Sequence, residues 1–130
     1  MASTTLTAAN FEKTILEEGT VLVDFWAEWC GPCKRFAPVF EEASEQHSDI
    51  VFGKVDTEAE QALAAAANIT SIPTLMAFRD GILVFAQPGA LPAQGLAQVI
   101  EGVKGLDMDA VRADIESQKQ QQSGGTEATA

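Results

Sequence analysis

The sequence predicts an α/β domain built on a mixed β-sheet, and three observations lead to this fold class. Apolar runs at 21–27 and 50–55 flank a segment with helical spacing from 32 to about 47. Such a strand–helix–strand unit places its two strands parallel in one sheet. The third observation is the Asp-Gly pair at 80–81 within the stretch 74–86, which indicates an antiparallel hairpin. The sheet is therefore expected to be mixed and covered by helices on both faces.

The first predicted element is a short helix that ends at Gly19. The side chain of Thr7 suits a cap at its start, and Leu6 and Phe11 have the spacing of a hydrophobic staple across that start. The apolar face of this helix is formed by Phe11, Ile15 and Leu16. After the first strand, the second helix carries apolar residues at three- and four-residue spacing, which gives it one inward face. Those residues are Cys33, Phe36, Ala37, Phe40, Ala43 and Ser44.

Two further helices complete the domain. Thr57 and Glu60 have the spacing of a capping box, which predicts an alanine-rich helix that ends near Asn68. Pro92 suits the first turn of a last helix, which follows the hairpin. The apolar stripe of that helix is formed by Leu96, Val99, Ile100 and Val103. The predicted order is helix, strand, helix, strand, helix, hairpin and helix.

The chain divides into a domain at 1–106 and an extension at 107–130. The first part is long enough for one ordinary domain. A stripe of three apolar residues predicts one more amphipathic helix in the extension, over about 107–117. The three are Met108, Val111 and Ile115. From Gln118 onward no residue is more apolar than alanine, so we predict a disordered, linker-like tail.

The composition excludes several classes of partner. Nineteen acidic and eight basic residues give a net charge of -11, and such a surface repels the phosphates of nucleic acids and anionic lipids. We therefore expect neither a nucleic acid nor a membrane as a partner. The first twenty residues carry no basic segment with a long apolar core behind it, which argues against a secretory signal. We expect a cytoplasmic protein and a monomer.

Both cysteines lie in one short motif, Trp29-Cys30-Gly31-Pro32-Cys33. Two thiols at this spacing can close a small disulfide ring and reopen it without unfolding the chain. The motif joins a predicted strand to a predicted helix, so Cys30 lies just before the helix and Cys33 lies in its first turn. A helix N-terminus carries unpaired N–H groups and a partial positive charge of about half an electron, which favour a thiolate. We therefore predict redox chemistry with Cys30 as the reactive thiol.

A pair of structural thiols, or half of a zinc site, is the alternative interpretation of the motif. Zinc sites usually take four nitrogen or sulfur ligands, and only His47 is available to join the two cysteines. We therefore expect no metal site, and we expect His47 to be a solvated residue near a helix end.

One carboxylate interrupts the first apolar strand. If Asp24 is buried there, desolvation raises its pKa toward neutrality, and it could take the proton of Cys33 during disulfide exchange. The alternative is a strand end at which this carboxylate stands in water. Lys54, on the next strand, is either a solvated lysine or a neighbour of Asp24 that adjusts the pKa of this carboxyl.

Taken together, these residues resemble the active-site signature of the thioredoxin family. The match is carried by residues 23–34, Val-Asp-Phe-Trp-Ala-Glu-Trp-Cys-Gly-Pro-Cys-Lys. Further matches follow in the family's order, at Pro38, Lys54, Asp56, Ile72-Pro73-Thr74 and Gly89. The resemblance covers roughly residues 5–106 and implies a thioredoxin fold, to which this chain adds a C-terminal helix.

The resemblance implies a role for each site residue. Cys30 attacks a protein disulfide, Cys33 resolves the mixed disulfide, and Asp24 accepts the proton of Cys33. On sequence alone Pro73 is expected to follow a trans bond, because only about 5–6% of X–Pro bonds are cis. The resemblance instead implies a cis bond that faces the cysteines. The implied substrate surface consists of Trp29, Gly31, Pro32, Ile72, Pro73, Gly89 and Ala90.

The function that the resemblance implies is that of a dithiol–disulfide oxidoreductase reducing protein disulfides. The implied partner is a flavin-dependent thioredoxin reductase that uses NADPH, while the chain itself binds no cofactor and carries only its redox-active disulfide. Gly31-Pro32 resembles the pair of reducing thioredoxins more than that of oxidants or isomerases. Two alternatives stay open, an oxidant or isomerase of the same fold and a non-catalytic assembly subunit.

Overall fold

The structure, a computed structural model, describes residues 2–129, with the side chains of residues 2–121. Within this part of the chain five strands form one sheet, namely β1 (Thr4–Thr5), β2 (Thr20–Trp26), β3 (Val51–Asp56), β4 (Thr74–Arg79) and β5 (Ile82–Pro88). Their order across the sheet is β1-β3-β2-β4-β5. Strand β2 is parallel to β3 and antiparallel to β4, so the predicted mixed sheet is confirmed.

Helices cover both faces of the sheet, as predicted. The described helices are α1 (Phe11–Glu17), α2 (Gly31–Gln46), α3 (Gln61–Ala66), α4 (Ala93–Lys104) and α5 (Met108–Thr129). Helices α2 and α4 pack on one face, where their buried side chains meet Leu22, Phe52 and Leu75. Helices α1 and α3 lie against the other face, around Val23 and Phe25. Because side chains alternate along a strand, Asp24 shares the first face with Leu22.

The predicted hairpin is also confirmed. Asp80 and Gly81 join β4 to β5 with φ values of 53° and 80°. Positive φ at both central residues defines a type I′ turn, which suits an Asp-Gly pair because glycine pays no steric penalty there. The N–H of Asp80 also donates to the carbonyl of Gly19 at 2.8 Å, which ties the turn to the loop before β2.

Strand β1 is an element that the sequence did not predict. Its two residues pair with Gly53 and Lys54 of β3. The next residue, Leu6, is 1% exposed and packs against Gly53, where an added Cβ would collide with the leucine side chain. Two exposed threonines carry no apolar alternation, so the strand exists only because Leu6 anchors it beside a glycine.

Two helix starts differ from the prediction, because local side chains bind other partners. Thr7 accepts from the N–H of Ala9 within a turn, and α1 begins only at Phe11. The predicted capping box at Thr57 does not form. Its hydroxyl donates to the carbonyl of Trp26 at 3.0 Å, and Asp56 instead accepts the N–H groups that follow it.

Two arginines fasten the junction between α4 and α5 to the hairpin. The Nη1 atom of Arg79 donates to the carbonyls of Val103, Lys104 and Leu106 at 2.8, 3.1 and 3.2 Å, at the end of α4 and in the turn that follows it. Arg112 of α5 forms ion pairs with Asp80 and Asp109. Helix α5 continues to Thr129, farther than the predicted end near 117.

Only the first of the three predicted apolar residues of α5 is fully covered. Met108 is 6% exposed, while Val111 and Ile115 are half-buried.

Stopping the chain at Leu106 should therefore lower the free energy of unfolding by about 1 kcal/mol, because burying one methionine contributes about 1.5–3 kcal/mol before the cost of ordering. We expect the melting temperature to fall by about 4–8 °C and disulfide reduction to persist. Calorimetry and a reduction assay on both chains measure this, and a folded but inactive truncation would contradict it.

Candidate redox site

The two cysteines form a disulfide at the junction of β2 and α2. Cys30 is the N-cap residue of α2, and its Sγ atom accepts the backbone N–H of Cys33 at 3.2 Å. The two residues are 4% and 3% exposed, so little more than the face of the disulfide reaches the surface. The same N–H, together with the partial positive charge of the helix start, stabilises a Cys30 thiolate once the disulfide is reduced.

Asp24 is buried on the face of the sheet that α2 covers. It is 0% exposed, and within the described part of the chain neither of its carboxyl oxygens has a hydrogen-bond partner. Desolvation raises the pKa of this carboxyl to about 7, and the positive charge of Lys54 opposes the rise. The alternative of a carboxylate standing in water is therefore wrong, and Asp24 is poised to gain or lose a proton at neutral pH.

Lys54 is the register partner of Asp24 on β3, while β4 places Leu75 opposite the same carboxyl. The Nζ atom of Lys54 lies 5.0 Å from the centroid of the Trp26 ring, within the range of a cation–π contact. Lys54 and Trp26 also line a cleft of about 100 Å³ that reaches Cys33. The other residues along this cleft are Ala27, Glu28, Lys34 and Ala37. Lys54, the register partner of the buried acid, and Cys33 thus line the same small cleft.

The peptide bond between Ile72 and Pro73 is cis, as the resemblance implied. The carbonyl oxygen of Ile72 lies 3.7 Å from Sγ of Cys30, so this segment borders the disulfide directly. The carbonyl of Pro73 accepts the N–H of Gly89 at 2.8 Å, and Gly89 has a φ of 106° that favours glycine. The hydrogen bond from Gly89 to Pro73 places the loop after β5 next to the loop before β4. Ala90 is the residue after Gly89 in that loop.

The predicted substrate surface is only partly exposed. Trp29 is 68% exposed, and four other predicted members are exposed as well, namely Gly31, Pro32, Gly89 and Ala90. Ile72 is half-buried, and Pro73 is buried. Pro73 therefore lies beneath the predicted substrate surface and is not among its exposed residues.

Two charged residues that lie against the cysteine motif were not predicted from the sequence. The indole Nε1 of Trp29 donates to Oε1 of Glu58 at 3.3 Å. The Nη1 atom of Arg35 lies 3.9 Å from the point where a Cβ on Gly31 would stand. Solvated charges on helices and turns are common, and nothing in their spacing distinguishes Glu58 or Arg35 from the other exposed charges.

The position of His47 argues against a metal at the cysteines. His47 is the C-cap residue of α2, about 20 Å along the helix from Cys33 at 1.5 Å per residue, and its Nδ1 lies 3.3 Å from Nζ of Lys104. Among the described residues no cluster of three or more His, Cys, Asp or Glu side chains is placed to hold a metal ion.

The described part of the chain also contains no helix of the length and apolarity needed to cross a bilayer.

A βαβ unit with an antiparallel hairpin and a Cys-Gly-Pro-Cys disulfide at a helix start defines a thiol–disulfide oxidoreductase. The family model described as Thioredoxin matches residues 2–102. The chain belongs to the thioredoxin family. Members of this family act on disulfide substrates and are served by reductase partners in general.

Similar proteins are known both as sequences and as structures. A putative thioredoxin 2 of Streptomyces coelicolor is 56% identical over 116 residues, which is 89% of this chain and 87% of that protein. Because 116 aligned residues exceed the 106 of the predicted domain, this likeness extends into α5. Thioredoxin 1 of Synechococcus elongatus is 46% identical over 98 residues, covering 74% of this chain and 92% of its own. The structure of Plasmodium falciparum thioredoxin matches with a TM-score of 0.71 and 40% identity, over 77% of this chain and 97% of that one.

Replacing the buried acid tests its electrostatic state. Asp24→Asn removes a group whose pKa of about 7 in the folded protein exceeds its unfolded value near 3.9. Such a group stabilises the fold when protonated, and that contribution is lost as pH rises from the unfolded toward the folded pKa. Between pH 5 and pH 8 the free energy of unfolding of the wild type should therefore fall by about 2–3 kcal/mol relative to that of the variant.

Denaturant unfolding of both proteins at the two pH values measures this difference. Asp114→Asn is the matched control, because its carboxylate is exposed on α5. We expect that substitution to change the unfolding free energy equally at both pH values. A constant difference between wild type and Asp24→Asn would show that Asp24 is not held protonated by burial.

Proposed function

We propose that this protein reduces disulfide bonds in other proteins and is itself reduced again by an NADPH-dependent thioredoxin reductase. The observation that carries the proposal is the Cys30–Cys33 disulfide at the start of α2, the helix that covers the face of the sheet holding a buried carboxyl whose pKa is about 7. The helix start supports a thiolate at Cys30, and the carboxyl supports removal of a proton from Cys33. Both requirements of a dithiol reductant are thus met by neighbouring groups.

The reaction proceeds through two exchanges. In the first, the Cys30 thiolate attacks one sulfur of a substrate disulfide, forms a mixed disulfide with it and releases the other sulfur as a thiolate. In the second, Cys33 gives its proton to ionised Asp24 and attacks Sγ of Cys30. The Cys30–Cys33 disulfide forms, and the substrate leaves as its second thiolate. Two electrons pass to the substrate, and two protons complete its thiols.

Asp24 suits the second step because its carboxyl is close to half-ionised near neutral pH. A carboxylate with an ordinary pKa would be a weaker base for a thiol, and a carboxyl fully protonated at neutral pH could accept nothing. The attraction of Lys54 keeps the pKa from rising further. Through the 100 Å³ cleft, protons have a route between solvent and the Cys33 side of the site.

Substrates would dock beside the segment that carries the cis bond. The Ile72 backbone borders Cys30, and the exposed surface of Trp29, Pro32 and Gly89 surrounds it. An extended substrate segment laid along Ile72 gains main-chain hydrogen bonds with little demand on its side chains, which fits a protein with many substrates.

We also propose that the chain works without a bound cofactor, as a monomer in the cytoplasm. Electrons would arrive through the redox-active disulfide from the flavin-dependent reductase. The support for the compartment is cysteine usage, because both cysteines serve the redox motif and the sequence contains none for the structural bridges typical of secreted domains.

The decisive experiment is NADPH-coupled reduction of insulin disulfides by the protein with a thioredoxin reductase. We expect NADPH consumption that depends on both proteins. A measured reduction potential separates this function from that of an oxidant, which would lie at a higher potential. Failure to reduce insulin with a folded, reduced protein would favour a non-catalytic assembly subunit.

Replacing each cysteine separates the two roles. Cys30→Ser should abolish turnover, because no other thiolate is available to start the exchange. Cys33→Ser should leave substrate proteins covalently attached to Cys30, because the resolving thiol is absent. Mass spectrometry of adducts formed with a disulfide substrate measures this, and equal adduct yield from Cys30→Ser would reverse the assignment of nucleophile and resolver.

A further inference from the structure

Cys30 lies between two residues that each carry a charged neighbour of opposite sign. Trp29, before it, contacts Glu58, and Gly31, after it, lies beside Arg35. Each charge therefore lies at a residue that flanks Cys30 in the chain, and each is exposed.

Glu58 is held in place by the turn that follows β3. Its backbone N–H donates to Oδ1 of Asp56 at 2.9 Å, which fixes the residue at the end of the strand. From there its carboxylate reaches Nε1 of Trp29 at 3.3 Å. The largest exposed side chain of the substrate surface is thus oriented by a carboxylate that keeps its negative charge at that surface.

Arg35 projects from the first turns of α2, one turn after Gly31. Its Nη1 atom comes within 3.9 Å of the position of a Cβ at Gly31, so the guanidinium lies over the backbone between the cysteines. A residue four positions along a helix covers the same face, which explains this placement.

The remaining charges near the disulfide do not mask this polarity. Glu28, Lys34 and Lys54 line the cleft on the Cys33 side, where both signs are present together. The negative group in contact with Trp29 and the positive group beside Gly31 are therefore the ones that a segment bound at Cys30 meets first.

We infer that Glu58 and Arg35 give the two sides of the substrate surface opposite charges, so that the surface selects disulfides by the charges that flank the target cysteine. The preferred segment carries a basic side chain on the Trp29 side and an acidic side chain on the Gly31 side. The inference rests on the proposed function, since it names a substrate class for that site. Electrostatic complementarity of this kind sets orientation and rate of encounter more than affinity.

Two disulfide-linked peptide homodimers test the inference. In one peptide a lysine precedes the single cysteine and a glutamate follows it, and in the other the two charges are exchanged. The fully reduced protein converts each dimer to two peptide thiols and becomes the Cys30–Cys33 disulfide, and chromatography of the freed peptide gives the rate constant. Dividing the ratio of the two rate constants by the ratio found with dithiothreitol removes the intrinsic difference between the peptides.

The wild type should prefer one peptide by about 1.5- to 5-fold for each charge contact. Exchanging both charges, in Glu58→Lys with Arg35→Glu, should invert that preference, and added salt should reduce it in both proteins. An equal exchange of Glu12 and Lys13 on α1, on the opposite face of the sheet, is the matched control and should leave the ratio as in the wild type.

A second pair of variants separates charge from the orientation of Trp29. Glu58→Gln retains an oxygen acceptor for the indole but removes the charge, whereas Glu58→Met removes both. We expect the two to lose the same part of the preference. A wild-type ratio in Glu58→Gln, or the same ratio in the wild type and the double charge exchange, would overturn the inference. If neither peptide is reduced, the proposed function is overturned instead.

Discussion

Strand β2 pairs with β3 on one side and with β4 on the other, and the redox site depends on this central position. This strand has neighbours on both sides and helices on both faces, and its residues from Val21 to Phe25 are all buried. Asp24 is therefore desolvated because of where the strand runs, without any element dedicated to enclosing it. The same strand ends at Trp26, and a three-residue turn leads from it to Cys30, so one continuous piece of backbone carries both the disulfide and the buried acid.

The sheet also sets the balance of charge around that acid. Register places Lys54 beside Asp24 on β3, and only Leu75 stands across from it on β4. Burial and the lysine act in opposite directions on the carboxyl pKa, and burial is the stronger of the two. Nζ of Lys54 lies 5.0 Å from the centroid of the Trp26 ring, and within the described part of the chain neither carboxyl oxygen of Asp24 has a hydrogen-bond partner. The lysine therefore attenuates the effect of burial without cancelling it.

Much of this arrangement could be predicted from the sequence, because the elements that form it have strong local signals. Asp-Gly fixed the hairpin, apolar runs indicated β2 and β3, and the cysteine spacing placed the disulfide at a helix start. The apolar neighbours of Asp24 along the strand favoured its burial but left open a strand end in water, and the position of β2 between β3 and β4 decided between the two.

The parts that were missed depend on which partner each residue takes in the folded chain, whether that partner is distant or close in sequence. Strand β1 exists through Leu6 and Gly53, and the caps of α1 and α3 were decided by competing side chains such as Asp56. From local sequence alone the bond before Pro73 was expected to be trans, because most X–Pro bonds are trans, and that expectation is wrong; only the resemblance implied the cis bond. Glu58 reaches Trp29 only in the folded chain, whereas Arg35 lies one helical turn after Gly31 and nothing in the sequence set it apart from the other exposed charges.

The distribution of aromatic residues has a spectroscopic consequence. The chain contains two tryptophans and no tyrosine, so its near-ultraviolet emission comes from two indoles. Trp29 adjoins Cys30 on the exposed surface, and Trp26 lines the cleft at Cys33. A disulfide quenches excited indole by accepting an electron, whereas a thiol does so less effectively. The protein therefore carries an internal optical reporter of its own oxidation state, with one indole on each side of the sulfur pair.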